Sequence, residues 1–215
     1  MTNEKFLMLD TETTNTLEDP FYYDLGFAVV DTKGKVYETG SFVNADIFLD
    51  EQMMATAYFV DKVPQYWAEI KAGKRTLKRH TNIKKAVREV MKKWDIKAVV
   101  AHNARFDYRA TNYTQRLLTS SKYRFFFPYG TQIIDTLSMA RKVLATSESY
   151  KNFCVNNGFV CKNGAPRYTA EVIYRWLTND ATFEESHTGL EDVLIEAKIF
   201  AFCKSINPNI DGLLW

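Results

Sequence analysis

Two acidic residues, Asp10 and Glu12, directly follow the apolar run 6–9, which predicts a buried strand. Because alternate residues of a strand point to the same side, we expect the two carboxylates to lie side by side. Two negative charges this close repel each other unless a cation lies between them. Hard divalent ions such as Mg²⁺ and Mn²⁺ prefer such oxygen ligands. An acidic turn after a strand is the alternative for this pattern taken alone.

A third acidic residue, Asp107, ends the segment AHNARFD at 101–107. The β-branched run 97–101 predicts a short strand, and a helix is expected from about 104 to 118. Asp107 therefore falls in the first turn of that helix. Since the helix dipole alone favours an acid there, a purely structural role is the alternative.

His187 and Asp192 belong to the segment HTGLED, which leads into the most strongly predicted helix, 189–205. Five helical residues rotate by about 500°, so the two side chains could not share a helix face. His187 is therefore predicted on a loop before the helix, and Asp192 in its first turns. A helix-capping or buried histidine is the alternative for His187.

The same helix carries an apolar stripe on which Asp192 lies together with Ile195 and Ile199. An unpaired carboxylate on a buried stripe is costly, and a bound metal ion would remove that cost. The residues predicted to form the solvated stripe are Glu191, Lys198 and Ser205.

The elements that must position these residues alternate between strands and helices. Strands are predicted at 6–9, 25–30, 36–43, 97–101 and 133–134. Helices are predicted at 51–72 with a break near Pro64, and at 82–94, 104–118, 136–144, 149–157, 169–178 and 189–205. A meander of three strands followed by alternating helices and strands is typical of an α/β domain with a mixed sheet and helices on both faces. No repeat or linker interrupts the pattern, so one domain is expected over residues 1–215.

The 215 residues suffice for one α/β domain with a substantial core. Net charge is only +2, but the stretch 71–93 holds ten Lys/Arg and one acidic residue, Glu89. That stretch predicts either phosphate binding or a solvated helix face.

Three cysteines without a CxxC spacing favour free thiols over a disulfide framework or a zinc site. No apolar run could span a bilayer and no signal peptide is recognisable, so a cytoplasmic protein without membrane contact is expected.

Three segments, DTETT at 10–14, AHNARFD at 101–107 and HTGLED at 187–192, resemble the signatures of the DEDDh 3′–5′ exonucleases. This family includes the proofreading epsilon subunit of bacterial replicative polymerases, ribonuclease T and oligoribonuclease. The segment IDTLSMAR at 134–141 also resembles one that members carry between the second and third signatures. Each segment is common alone, but the three in this order, with His five residues before the last Asp, are specific.

The resemblance implies a ribonuclease-H-like fold and an enzyme that releases nucleoside 5′-monophosphates from nucleic-acid 3′ ends. The residues that it implies as ligands of two Mg²⁺ or Mn²⁺ ions are Asp10, Glu12, Asp107 and Asp192. His187 would take the proton of the attacking water, since histidine can act as a base near neutral pH. Two metals stabilise the attacking and leaving oxygens of such a reaction. Thr13 would lie against the terminal sugar.

The expected partner is nucleic acid with a single-stranded 3′ end, with DNA favoured over RNA. No polymerase-binding tail is recognisable, so a stable polymerase partner is not expected. The stretch 144–186 departs from the family pattern, and no substrate contact is assigned there. Gly189 stands where many members carry Ala, which we expect to be a minor change.

Two alternatives stay open, a non-catalytic module that binds nucleic-acid ends on the same fold, and a ribonuclease-H-like endonuclease. Several aromatic residues are candidates for base stacking, although we expect most of them in the core. They are Tyr58, Tyr66, Phe125, Phe126 and Phe127.

Overall fold

The computed structural model describes residues 4–120, 122 and 124–214, and its centre is a mixed sheet of six strands. The strands are β1 (Phe6–Asn15), β2 (Pro20–Val30), β3 (Val36–Asn44), β4 (Thr76–Lys78), β5 (Ala98–Ala101) and β6 (Gln132–Asp135). Their order is β4-β3-β2-β1-β5-β6. Strands β1, β2 and β3 form an antiparallel meander, whereas β4, β5 and β6 pair in parallel. The predicted mixed sheet is confirmed.

Helices cover both faces of this sheet. They are α1 (Ala45–Phe48), α2 (Glu51–Met54), α3 (Val63–Lys71), α4 (His80–Lys93), α5 (Arg105–Leu118), α6 (Thr136–Leu144), α7 (Glu148–Asn156), α8 (Ala170–Thr178) and α9 (Gly189–Ile206), with a 3₁₀ turn at Val60–Lys62. Along β1, Phe6 and Met8 belong to the core shared with α6, α7, α8 and α9. Leu7 and Leu9 belong to the core shared with α4 and α5. By this alternation, Asp10 and Glu12 continue the α9 side.

Several elements differ from the sequence prediction. Strand β1 continues through Asn15 because its polar residues keep pairing with β2 as far as Pro20. The short edge strand β4 was not predicted, since three residues carry too little periodicity. The predicted helix over 51–72 is divided into pieces, and Pro64 lies in the first turn of α3, where its missing N–H costs nothing.

The basic stretch 71–93 includes one residue whose role was not foreseen. Arg75 is buried and forms ion pairs with Asp24, Glu69 and Glu191. Arg75 is therefore structural, and none of the residues 71–93 lines the cavity that holds the predicted acids. The fold therefore gives no support to the prediction that the stretch 71–93 binds phosphate.

All three cysteines are free thiols, as predicted, and Cys154 and Cys203 are buried on helices. Within the part of the chain that the structure describes, no helix has the length and apolar character needed to cross a bilayer.

Candidate active site

The carboxylates of Asp10 and Glu12 are positioned by β1 beyond its last parallel pair with β5, Met8 with Val100. Both residues still pair with β2, and the register shifts only after Glu12. The strand geometry therefore holds both acids on one side, as the alternation of residues predicted. They lie where the chain of β5 leaves the sheet toward α5.

Asp107 lies in the first turn of α5 and is buried. Its Oδ1 accepts two hydrogen bonds from Thr11, from the backbone N at 3.0 Å and from Oγ1 at 2.8 Å. Because Thr11 stands between Asp10 and Glu12, these bonds tie the third acid directly to the first two. The sequence signature did not identify Thr11 as this link.

Asp192 lies in the first turn of α9 and is fixed by the residues just before the helix. The backbone N of Thr188 donates to Asp192 at 3.0 Å, and Ser186 Oγ donates at 3.3 Å. Asp192, Ile195 and Ile199 are buried, as their shared stripe predicted. On the opposite stripe, Lys198 and Ser205 are exposed.

The third member of that predicted solvated stripe, Glu191, is exposed as predicted and also forms an ion pair. Its side chain is 49 % exposed and pairs with Arg75 at 2.7 Å. Glu191 therefore takes part in the ion-pair network around Arg75.

His187 lies on the loop before α9, as predicted, with a left-handed backbone (φ 48°). Its ring stacks on the ring of Phe59, with centroids 4.5 Å apart and planes 13° from parallel. Lys62 Nζ donates to the carbonyl oxygen of Ser186 and, at 3.4 Å, to that of His187. The segment around the 3₁₀ turn thus supports both the ring and the backbone of His187.

These residues converge although they come from three distant segments. Ligand atoms of Glu12, His187 and Asp192 all lie within 4.8 Å of one another. Asp10 and Asp107 line the same cavity of about 680 Å³. This arrangement of carboxylates with one imidazole can hold divalent cations.

The electrostatics of the cluster favour the binding of a cation. Burial raises the pKa of Asp10 well above its usual value, and the charges of neighbouring acids, Asp107 foremost, raise it further. Burial, together with the charge of Asp192, raises the pKa of Glu12 to about 9. Burial raises the pKa values of Asp107 and Asp192 to about 7, against hydrogen bonds that lower them. The nearby Lys62 compensates only part of this repulsion.

Sequence reasoning missed two further acids that line the cavity, Glu185 and Glu196. Glu196 is buried, and its Oε2 accepts a hydrogen bond of 3.1 Å from the backbone N of His102. Its position four residues after Asp192, on the same helix face, was the available signal. Burial, together with the charge of the nearby Asp192, raises the pKa of Glu185 to about 8. No pattern in the sequence singled out Glu185.

Thr13 is half-buried on β1 beside Glu12 and does not line the cavity, so its substrate contact stays a prediction. Among the stacking candidates, Tyr66, Phe126 and Phe127 are buried, as expected for most of them. Tyr58 and Phe125 are exposed but lie outside the cavity. The aromatic residues that line it are Phe106 and Tyr168.

The expectation that glycine at position 189 is a minor change is wrong for this fold. A Cβ on Gly189 would lie 2.6 Å from the backbone N of Gly26. A Cβ on Gly26 would lie 2.1 Å from the carbonyl carbon of Gly189. The start of α9 therefore presses directly on β2, and neither position has room for a side chain.

Neither a known family profile nor a curated protein sequence matches the chain. Solved structures do resemble it. Exonuclease X in complex with 5′-overhanging duplex DNA is 16% identical, with 96% of this chain and 95% of that chain covered and a TM-score of 0.55. Exonuclease I with SSB and the inhibitor CFAM is 16% identical, with coverage of 96% and 43% and a TM-score of 0.62.

The zinc-bound form of the E. coli ExoI–ssDNA complex is 17% identical, with coverage of 95% and 41% and a TM-score of 0.57. The chain thus spans nearly all of the Exonuclease X chain but less than half of these Exonuclease I chains. At such identities the likeness establishes the fold, which is the ribonuclease-H-like fold of these exonucleases. The predicted fold class is confirmed.

Proposed function

We propose that this chain, which has the fold of Exonuclease X and Exonuclease I, is a DEDDh 3′–5′ exonuclease that releases nucleoside 5′-monophosphates. The observation that carries the proposal is the convergence of three signature segments on one cavity. The residues that converge are Asp10, Glu12, Asp107, Asp192 and His187. A fold alone does not imply an activity, whereas this set of groups has a specific chemistry.

Two Mg²⁺ or Mn²⁺ ions fit the site, because its oxygen donors repel one another and Lys62 offsets only part of this repulsion. Asp10, Glu12, Asp107 and Asp192 would hold them, and Thr11 would keep Asp107 aimed at the other acids. When bound, such ions stabilise the negative charge on the attacking and leaving oxygens of a phosphodiester. The raised pKa values of the acids imply that protons compete with the metal for the site.

His187 is suited to remove the proton from the attacking water. Burial lowers the pKa of its imidazole, and the charge of Lys62 lowers it further, so the ring is neutral near pH 7. A neutral imidazole offers a free ring nitrogen as acceptor. The stack on Phe59 and the Lys62 bonds to the loop carbonyls would hold this nitrogen in place.

The proposed substrate is a nucleic acid with a single-stranded 3′ end, DNA in preference to RNA. Complexes of Exonuclease X with overhanging duplex DNA and of ExoI with ssDNA support nucleic acid as the ligand class. Thr13, next to Glu12 on β1, would contact the terminal sugar.

The test is digestion of ssDNA, dsDNA and RNA, each labelled at either end, with Mg²⁺ or Mn²⁺. We expect 3′-labelled ssDNA to release labelled mononucleotide first and 5′-labelled ssDNA to shorten stepwise. Asp107→Ala should reduce hydrolysis by about a hundredfold or more, since it removes a proposed metal ligand. Circular ssDNA should not be digested, because it has no 3′ end.

Three outcomes would contradict the proposal. Cleavage of the circle would favour the endonuclease alternative. Binding without hydrolysis would favour the non-catalytic end-binding module. Full activity of Asp107→Ala would show that the acid cluster is not the catalytic centre.

A further inference from the structure

Residues 160–166 form a small hairpin, called the finger here, in the stretch where no substrate contact could be assigned from the sequence. Val160 pairs with Pro166 in an antiparallel bridge, and the N of Cys161 donates to the carbonyl of Ala165 at 2.8 Å. Gly164 closes the turn with φ 79°, a conformation that glycine adopts freely. The finger is therefore a built feature with internal hydrogen bonds.

The finger is tied to the segment between β5 and α5 through the two residues that follow it. Tyr150 Oη donates to the carbonyl of Arg167. His102 Nε2 donates to the carbonyl of Tyr168 at 2.8 Å. The backbone N of His102 in turn donates to Glu196, inside the acid cluster. Arg167 and Tyr168 are thus held at a fixed place relative to the acids.

Two arginines line the same cavity as the acids, Arg167 after the finger and Arg141 on α6. Both side chains are exposed. Arg167 Nε donates to the carbonyl of Val160 at 3.1 Å. Within the described residues neither guanidinium forms an ion pair with a carboxylate, unlike Arg75 and Arg175. The cavity therefore combines the acidic cluster with two guanidinium groups that, among the described residues, pair with no carboxylate.

We propose that Arg141 and Arg167 bind phosphates of the nucleic-acid strand that remains after the terminal nucleotide is cleaved. The inference rests on the proposed exonuclease function and deepens it. A terminal nucleotide brings only the scissile phosphate, which belongs to the acidic centre. Every other phosphate lies on the retained side of the strand, and guanidinium groups bind phosphate oxygens in a bidentate manner.

Binding is measured by fluorescence anisotropy with labelled dT10, in an Asp107→Ala background that slows degradation. The test variant is Arg141→Ala with Arg167→Ala, and the matched control is Lys92→Ala with Arg124→Ala, two exposed cations outside the cavity. We expect the test variant to bind at least tenfold more weakly at low salt and the control to bind within twofold. Losing two single-strand phosphate contacts should reduce the slope of log K against log salt by about 1.4.

A second experiment, with Asp107 intact, compares the hydrolysis of two substrates. It shows whether the arginines contact the retained strand or the scissile phosphate. The p-nitrophenyl ester of thymidine 5′-monophosphate has a scissile phosphodiester but no retained strand. We expect the double arginine variant to hydrolyse this ester within twofold of wild type and to lose at least tenfold on dT10. Equal losses on both would overturn the inference, because the arginines would then act on the scissile phosphate or on folding. No loss on either would also overturn it.

Failure of the proposed function gives a different pattern. Wild type would then hydrolyse neither substrate, whatever the arginine variants do. The anisotropy measurement still decides the inference in that case, since it requires binding and not turnover. An unchanged salt slope in the double variant would overturn it.

Discussion

His187 adopts a left-handed backbone that is uncommon for residues other than glycine. Such conformations cost energy and persist where the surroundings impose them, often at functional sites. Here the surroundings are Phe59, stacked on the ring, and Lys62, bonded to two loop carbonyls. One of its ring nitrogens also lies within 4.8 Å of carboxylate oxygens of Glu12 and Asp192, so a metal-ligand role competes with the role of base.

At the residue scale, we predict that His187→Ala lowers turnover by about 10²–10⁴-fold while Mn²⁺ still raises the melting temperature. Turnover should fall because the general base acts on the attacking water. The Mn²⁺ shift should persist because the base does not hold the metal in the ground state. Burial and Lys62 lower the pKa of His187 below 6.5, so the wild-type rate should rise with pH below about 6.5. The variant should lack this rise. Rates over pH 5–8 at constant Mn²⁺, together with melts, provide the measurement.

Metal hydroxide formation can mimic such a rise, so the two profiles are compared at identical metal concentration. If the variant keeps near-normal turnover with the same rise, His187 is structural. If it loses the Mn²⁺ shift in melting temperature, His187 is a ligand and not the base.

The start of helix α9 contacts strand β2 without intervening side chains. Gly26 and Gly189 meet backbone to backbone, and the N of Gly189 donates to Asp24 Oδ2 at 2.9 Å. Asp24 also pairs with Arg75 at 3.1 Å. This contact sets the distance between Asp192 at the start of α9 and the acids on β1, which pairs with β2.

At the element scale, we predict that Gly26→Ala displaces the start of α9 and lowers turnover at least tenfold, besides destabilising the fold by about 1–3 kcal/mol through overpacking. The matched control is Gly40→Ala, whose added Cβ would meet the Phe27 ring at 2.2 Å on the neighbouring strand. Gly40→Ala should lose stability as well but keep turnover and the Mn²⁺ shift. Denaturant melts and initial rates on ssDNA compare the two. Equal effects on turnover would show that the contact does not position Asp192.

Across the whole molecule, the acid cluster makes stability depend on pH and metal. Burial raises the pKa of Glu12 to about 9 in the folded chain, whereas an unfolded chain keeps the ordinary value near 4.5. Between these values the folded state binds more protons than the unfolded state. By linkage, the contribution of Glu12 to the free energy of unfolding therefore falls as pH rises through this window.

At this scale, we predict that metal-free Glu12→Gln gains stability relative to wild type as pH rises from about 5 to 9. Mn²⁺ should raise the wild-type melting temperature more at pH 8 than at pH 6, because fewer protons then compete for the acids. The double variant Asp10→Ala with Asp192→Ala should lose this shift. Denaturant and thermal melts in EDTA and in millimolar Mn²⁺ are the measurement. A pH-independent difference, or a shift that survives in the double variant, would contradict the prediction.

Local periodicity determined much of the site. The two-residue period of β1 places Asp10 and Glu12 on one side, and the helical period of α9 separates His187 from the helix that buries Asp192. These placements depend on backbone geometry within a few residues, and sequence carries that information directly. The meander and the helices on both faces follow from the same periodicities.

Only the tertiary structure decided which distant groups meet. Thr11 binding Asp107, the contact of Gly26 with Gly189, and the two cavity arginines join residues that are far apart in sequence. Arg75 shows the same limit, since its basic neighbours suggested a phosphate site while packing buried it among acids. Such contacts are set by how whole elements pack, because side-chain partners across a core depend on shape and charge contributed by many segments at once.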